Sequence, residues 1–529
     1  MANKLIFEVD GKPSFGKLLL FAFQQVLAVL AATILVPTII GLPIQMPAAI
    51  LGAGLGTIVY LLFTRFKSPV VISSSFAFLG ALSNAVVFGY MGIILGGLFA
   101  GLVYVIIALI IKFAGTAWVE KLMPPVIIGP TVALIGLSLA GNATADVVKA
   151  SADPVNGGYN LIGLLCGLVT FFTVVILSVQ NKFKTGRLIP FILGIVAGYA
   201  VAAVFTGIGY AVNVDYLKVI NYKPLIDNFS KITIESFVTY PRFSLVESIK
   251  ELVAGQPSRA IVEAYISNNE LNDAVLEVLK LGGIEKMSDA SHQQLWDALV
   301  SLDKGAPTLI SLSPIGVAEV ALAFIPVAFV TFAEHIADHK NLSTVINKDL
   351  LNEPGLSRTL LGDGVGSMVG TVFGICPNTT YGESVGCVAI TKNASVRTIF
   401  AAACMLIVLS FISPLTAALR TIPNCVMGGV CLTLYGFIAV SGFKMFQSVD
   451  LNKSKNLFIV AAILISGIGG LSLQIPYAVA NNGAVTKTIQ ITSIAAALIL
   501  GIVTMVICNA IEKRNAPEED EAPEAKPEE

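Results

Sequence analysis

About fourteen stretches of this chain are apolar over the roughly 20 residues that one bilayer crossing requires, counting a few short ones broken by Gly or Pro. They lie near residues 17–41, 46–64, 69–84, 88–111, 124–141, 159–179, 188–207, 314–333, 358–375, 378–391, 396–419, 424–442, 456–474 and 488–508. In hydrocarbon no water satisfies a free N–H or C=O, so a crossing is either a helix or a broken segment lying against protein or a wet cavity. The fold class that follows is an all-α polytopic membrane protein. Composition agrees, since 55% of residues are hydrophobic and 13% charged, against about 25% charged in soluble domains. The lipid bilayer is the first partner implied, and nucleic acid is not one.

Lys and Arg gather in short cytoplasmic loops. With the N-terminus inside, the inner loops hold Arg65, Lys67, Lys112, Lys121, Lys182, Lys184, Arg187, Lys340, Lys348, Arg358, Lys392, Arg397, Lys444, Lys453, Lys455, Lys513 and Arg514. The short outer loops carry Lys149, Arg420 and Lys487. Both termini are therefore expected in the cytoplasm. No cleavable signal peptide is read in the polar segment Met1 to Lys17, and the first apolar stretch is long enough to stay as a span. The seven cysteines lie mostly in apolar stretches without paired metal spacing and read as small packing residues.

Two regions do not read as membrane. Residues 244–312 form an inserted helical module, outside if the topology holds, with Ser267 to Glu270 as a capping box ahead of Leu271–Leu279 and a second amphipathic run at Ser291–Val300. His292 and Trp296 in it read as surface and packing residues. Residues 511–529 form a cytoplasmic tail, acidic and Pro-rich from Asn515 onward, too poor in apolar area to fold.

Function enters through Glu334, which ends the apolar run Val317–Ala333 in Ala333-Glu-His-Ile-Ala-Asp-His339. A carboxylate at membrane depth costs roughly 2.5–3.5 kcal/mol, so it normally faces a cavity and marks a substrate or proton path. Glu319, near the outer end of the same run, reads more simply as solvated. An internal repeat points the same way. Pro124-Pro-Val-Ile-Ile-Gly129 opens the fifth span and Pro423-Asn-Cys-Val-Met-Gly428 the twelfth, and the odd number of crossings between them makes a 7+7 inverted repeat. Spans three and ten are both short, begin with a proline and are rich in hydroxyls: Ser68-Pro-Val-Val-Ile-Ser-Ser-Ser-Phe-Ala-Phe78 and Cys376-Pro-Asn-Thr-Thr-Tyr-Gly-Glu383. Such paired broken segments are the best sequence pointer to a transporter's binding site.

These motifs, with Glu383-Ser-Val-Gly-Cys-Val-Ala-Ile-Thr-Lys392 and Lys348-Asp-Leu-Leu-Asn-Glu-Pro-Gly355, resemble the nucleobase–ascorbate (nucleobase:cation symporter-2) family, closest to the bacterial uracil permeases. The resemblance covers almost the whole chain apart from 244–312 and the tail. It implies a multi-pass protein of the bacterial cytoplasmic membrane. Residues 1–16 would be cytoplasmic, 17–112 and 313–419 would form a core domain (spans 1–4 and 8–11), and 113–243 and 420–510 a gate domain (spans 5–7 and 12–14). Small β-strands in spans three and ten would meet near the midplane. Glu334 and Glu383 would hydrogen-bond the substrate, Phe76 and Gly382 would offer backbone groups, and Ala32 and Tyr381 would line the pocket, with Ser75, Thr380 and Ser384 as support. Uracil suits such a site, because carboxylates accept from its ring N–H groups while backbone amides serve its oxygens.

Two residues depart from the family's pattern. Ser384 replaces the usual Asn, which removes a bracing amide. Asp338 stands where the compared permeases often have His, four residues after the glutamate, while His339 falls about 140° away on the helix. Proton symport is the expected mode, with Glu334 carrying the proton and Asp338 as its partner, since a carboxyl in a dehydrated site beside a like charge takes up a proton more readily than in water. His335 is either a further member of that path or a structural imidazole bonded to backbone. The alternatives are a purine permease for xanthine or urate, sodium coupling, and an anion exchanger of similar architecture, to which paired carboxylates are poorly suited. A zinc hydrolase built on Glu334, His335, Asp338 and His339 lacks the His-Glu-x-x-His order, so neither an enzyme nor a cofactor or metal is expected. A homodimer is left open.

Overall fold

The computed structural model describes residues 5–149, 159–180, 189–268, 271–280, 287, 290–302, 313–445, 447, 449–479 and 485–515. Glu270 of the expected capping box and the acidic tail beyond Asn515 lie outside the described residues. The first half comprises α1 (Phe15–Ile39), α2 (Met46–Phe63), β1 (Ile72–Ser74), α3 (Leu79–Ala85), α4 (Gly89–Ala114), α5 (Pro125–Ser138), α6 (Leu161–Val179) and α7 (Pro190–Val212). In the inserted module follow α8 (Ser244–Ala254), α9 (Arg259–Asn268) and α10 (His292–Leu302), with a short helix Asn272–Val278 between the last two, where the sequence placed one. The second half comprises α11 (Pro314–Ile346), α12 (Leu356–Phe373), β2 (Asn378–Thr380), α13 (Gly382–Thr391), α14 (Val396–Leu409), α15 (Asn424–Met445), α16 (Ser454–Ile468), β3 (Leu473–Val479), β4 (Val485–Ile491) and α17 (Ser493–Asn515).

Among the described residues, nine helical stretches are long and apolar enough to cross a membrane. Fourteen crossings are not reached by that measure, for three physical reasons. Helices α14 and α16 are apolar but short, α12 carries Arg358 and Asp363, and the third and tenth segments are interrupted by strands.

Helix α11 shows how local sequence sets an element. Pro314 stands in its first turn, where a missing N–H costs nothing, the Ser313 hydroxyl accepts from the Gly316 N–H at 3.1 Å, and Asn347 closes it with φ 54°. The span expected to end at residue 333 runs on, because Ile336, Ala337, Leu342 and Ile346 continue a buried face. Its 33 residues rise about 50 Å, which puts Glu334 inside the helix rather than at its end. Glu319 is half-buried on the same helix.

The two halves pack as an inverted pair. Helix α4 packs on α12 and α11, and its counterpart α14 packs on α2 and α1. Likewise α6 packs on α15 and α7, while its counterpart α16 packs on α5 and α17. The self-matched pairs α2 with α12 and α5 with α15 lie at the centre of this exchange. One element was not foreseen: β3 and β4 form an antiparallel hairpin between the segments read as spans thirteen and fourteen.

The module is tied to the ends of the bundle. Glu251 of α8 accepts from the Tyr90 N–H at 3.0 Å and the Ser258 N–H at 2.9 Å, so a module carboxylate caps the start of α4. Burial pushes that carboxyl above the usual carboxylate range, while the two N–H groups pull the other way. The Ser244 hydroxyl donates to the Gly374 carbonyl. Ser267 lies in the last turn of α9 and so opens no helix. The reciprocal cap occurs instead at Ser291: its hydroxyl accepts from the Gln294 N–H at 3.2 Å, and the Gln294 side chain accepts from the Ser291 N–H at 2.7 Å.

Candidate functional site

Broken backbone at membrane depth has to find partners, and the hydroxyl-rich segments supply them. Strands β1 and β2 pair antiparallel in the register Ile72↔Thr380, Ser73↔Thr379, Ser74↔Asn378. Ser75 N–H to the Pro377 carbonyl at 3.0 Å and Tyr381 N–H to the Val71 carbonyl at 3.3 Å extend the ladder at both ends. The outer edge of β1 is closed by Thr57, whose hydroxyl accepts from Ile72 N–H at 3.1 Å and donates to Ile72 C=O at 3.0 Å. Thr33 of α1 bonds the Ser73 hydroxyl at 2.8 Å, and the Tyr381 hydroxyl donates to the Ser74 carbonyl at 2.5 Å. Asn378 donates to the Gly52 carbonyl at 2.9 Å. This two-stranded ribbon is thus held from α1 and α2 without water.

A cavity opens beside the ribbon. Ser75, Phe76, Thr379, Tyr381, Gly382 and Glu383 line it from the two broken segments, and Glu334, Ala337 and Asp338 line it from α11. Val132 of α5 and Phe437, Ile438 and Ser441 of α15 close the opposite side. Phe76 also sets its ring edge-on against Tyr435 of α15, centroids 5.5 Å apart. Glu334 Oε2, Glu383 Oε1 and Ser75 Oγ are buried and have no partner among the described residues. Phe76 begins a 3-10 turn and Gly382 begins α13, and the first N–H groups of a helix lack intrahelical acceptors and carry its positive end. A Cβ at Gly382 would stand 3.7 Å from Asp338 Oδ1 and 3.9 Å from the Phe437 ring, into the space a ligand would share. The arrangement offers acceptors from carboxylates and donors from backbone, suited to a small flat molecule bearing both.

The remaining expected residues fall behind the cavity. Thr380 donates from its hydroxyl to Asp338 Oδ2 at 2.8 Å, fixing one carboxylate oxygen. The Ser384 hydroxyl accepts from Val71 N–H at 3.0 Å and donates to Gln25 Oε1 at 3.0 Å, so it braces α13 against α1 and the approach to β1. Ala32 does not line the cavity; it is fully buried in the packing of α1. His335 also points away from it. Its Nδ1 lies 2.6 Å from Asp363 Oδ2 and its Nε2 3.0 Å from the Thr359 hydroxyl. His339 donates from Nδ1 to the His335 carbonyl at 2.8 Å, and its Nε2 lies 2.7 Å from the Tyr60 hydroxyl. Both imidazoles are therefore engaged on both nitrogens by protein groups, which leaves the zinc arrangement no free ligand on them. Among the described residues no cluster of His, Cys, Asp and Glu has a metal-holding arrangement.

Asp363 was not singled out from the sequence, although it carried the same signal as Glu334, an ionisable group within an apolar span. Val132, Phe437 and Ile438 gave no signal, being apolar residues in apolar helices.

Residues 16–252 and 305–475 match the profile of the family Xan_ur_permease, described as a permease family; the unmatched interval falls within the inserted module. A uracil permease of Bacillus caldolyticus is 32% identical over 508 residues, 96% of this chain and 95% of that protein. A uracil permease of Escherichia coli (strain K12) is 28% identical over 469 residues, 88% of each. Among solved structures, the murine anion transporter Slc26a9 in its inward-facing state aligns with a TM-score of 0.53 at 10% identity, over 95% of this chain and 69% of that one. That likeness concerns fold alone, a helical transporter of two inverted seven-span halves. The chain is a multi-pass membrane transporter rather than an enzyme, and it belongs to the permease family Xan_ur_permease.

Proposed function

We propose that this protein imports uracil by proton symport. The observation that carries the reading is the pair of buried, unpartnered carboxylate oxygens of Glu334 and Glu383 on one cavity, next to two helix starts. Uracil presents ring N–H donors between carbonyl acceptors, and this site offers the complement. The names of the relatives support the same cargo. Glu334, Asp338 and Glu383 crowd three carboxyls around one cavity, and a proton taken up among them relieves their repulsion. Glu334 is the proposed carrier, with Asp338, one turn further along α11, as its partner. His335, bonded to Asp363 behind the cavity, supports that path rather than contacting cargo.

Movement would occur between a core unit of spans 1–4 and 8–11 and a gate unit of spans 5–7 and 12–14, with both termini in the cytoplasm. Support comes from the packing, which is dense within each set and crosses between them chiefly where α11 meets β4, α5 and α17 and where α1 meets α7. The cavity lies on that seam, so sliding one unit past the other exposes it to alternate sides.

Labelled uracil uptake in permease-deficient cells tests the proposal. Uptake should be abolished by a protonophore and resist excess xanthine, and Glu334→Gln should lose accumulation. Full pH-driven accumulation by Glu334→Gln would remove the assignment of the carrier, and competition by low xanthine would replace uracil with a purine.

A further inference from the structure

A second cavity, about 570 Å³, runs along the outside of the bundle between α1 and α14. Phe15, Leu19 and Phe23 of α1 and Phe400, Met405 and Val408 of α14 form its walls. Phe66 closes one side, its ring 6.1 Å from that of Phe400. Arg397 is the one charged residue among those that line it; it is exposed and makes no ion pair among the described residues.

The charge sits at one end. Phe15 opens α1 and Arg397 stands in the first turn of α14, and the groove runs from there to Leu409. That is about 18 Å of helix, against about 15 Å for one leaflet of a hydrocarbon core roughly 30 Å thick. The groove is therefore one leaflet deep, apolar along its length and cationic at its mouth. Arg65, exposed beside Phe66, adds to the positive end.

We propose that this groove holds one acyl chain of a glycerophospholipid whose anionic headgroup pairs with Arg397. Charge argues against a zwitterionic lipid, since no acidic residue lines the groove to answer a headgroup amine. This site is independent of the cargo and of the coupling ion.

Native mass spectrometry of the purified full-length protein, exchanged into detergent with phosphatidylglycerol or phosphatidylcholine of identical chains, tests it. Wild type should retain phosphatidylglycerol with about fivefold preference, the size expected of one basic residue beside anionic lipid. Arg397→Gln should erase the preference, and Ala401→Trp, which fills the wall without touching charge, should lower retention of both lipids. Equal retention by wild type, or a preference that survives Arg397→Gln, overturns the proposal. So does an Ala401→Trp protein that shifts from dimer to monomer with lipid retention unchanged, which would make a second copy the occupant.

Discussion

His335 and Asp363 are both fully buried, yet they meet at 2.6 Å. Thr359 constrains their proton. Its hydroxyl lies 3.1 Å from the Leu356 carbonyl and 3.0 Å from His335 Nε2, and it has one hydrogen to give. When that hydrogen goes to Leu356, His335 donates from Nε2 to Thr359 and shares one further proton with Asp363, as an imidazolium beside a carboxylate or a neutral ring beside a carboxylic acid. When it goes to His335, the ring is neutral. Either way the carboxylate needs its partner, because breaking a buried pair from one side leaves an uncompensated group at a cost of about 3–5 kcal/mol. Asp363→Leu should therefore lower the unfolding temperature in detergent strongly, and His335→Leu/Asp363→Leu should recover most of the loss. A double variant no more stable than the single one would show that the pair is not what Asp363 serves. The sequence made Glu334 legible because charge is rare in apolar runs, and Glu383 through the family resemblance of the motif that holds it. It could not show that His335 turns away from the cavity, since that depends on Asp363 arriving from another helix.

At the level of elements, glycine sets how closely helices approach. A Cβ on Gly101 of α4 would fall 2.5 Å from the Gly364 carbonyl oxygen of α12, and one on Gly364 would fall 2.8 Å from the Gly101 carbonyl oxygen. The two backbones are in contact, the small-residue packing on which membrane helices rely in place of a hydrophobic drive. Gly101→Val should force them apart and carry Asp363, on the same turn of α12, away from His335. Loss of monodisperse protein in size-exclusion chromatography is the expected outcome, and a normal elution profile with normal unfolding would show that the helices can yield. The broken segments were readable in advance because proline and hydroxyls mark backbone that needs side-chain partners. The hairpin of β3 and β4 was obscured by the neighbouring apolar runs, although Val485-Thr-Lys-Thr-Ile-Gln-Ile491 alternates in the manner of a strand. The helix was read on as far as His339, but its span was closed at residue 333 because charge was taken to end it, whereas charge on one face of a helix does not stop it.

For the whole molecule, the repeated Pro-x-x-x-x-Gly marked the inversion, but which helices pair could not be read from it, since partners are chosen by shape across spans far apart in the chain. The seam between the proposed units is where motion is to be tested. Gly80 of α3 and Thr492, which precedes α17, come together there: a Cβ on Gly80 would lie 3.4 Å from Thr492 Cγ2, an atom one bond from Thr492 Cβ, which brings the two Cβ atoms near the range of about 3.5–4.5 Å that a disulfide spans. Cross-links at this point join a broken-segment helix of one set to the last helix of the other. In a background where Cys404 and Cys508, the two cysteines that are not fully buried, are replaced by Ser, Gly80→Cys/Thr492→Cys should lose uptake on oxidation and regain it with reductant, while each single variant is indifferent to both. If the cross-linked protein, verified by its mobility without reductant, transports as well as the reduced form, then α3 and α17 do not part during the cycle. The moving boundary would then have to be sought elsewhere, between α11 and α5 or between α1 and α7.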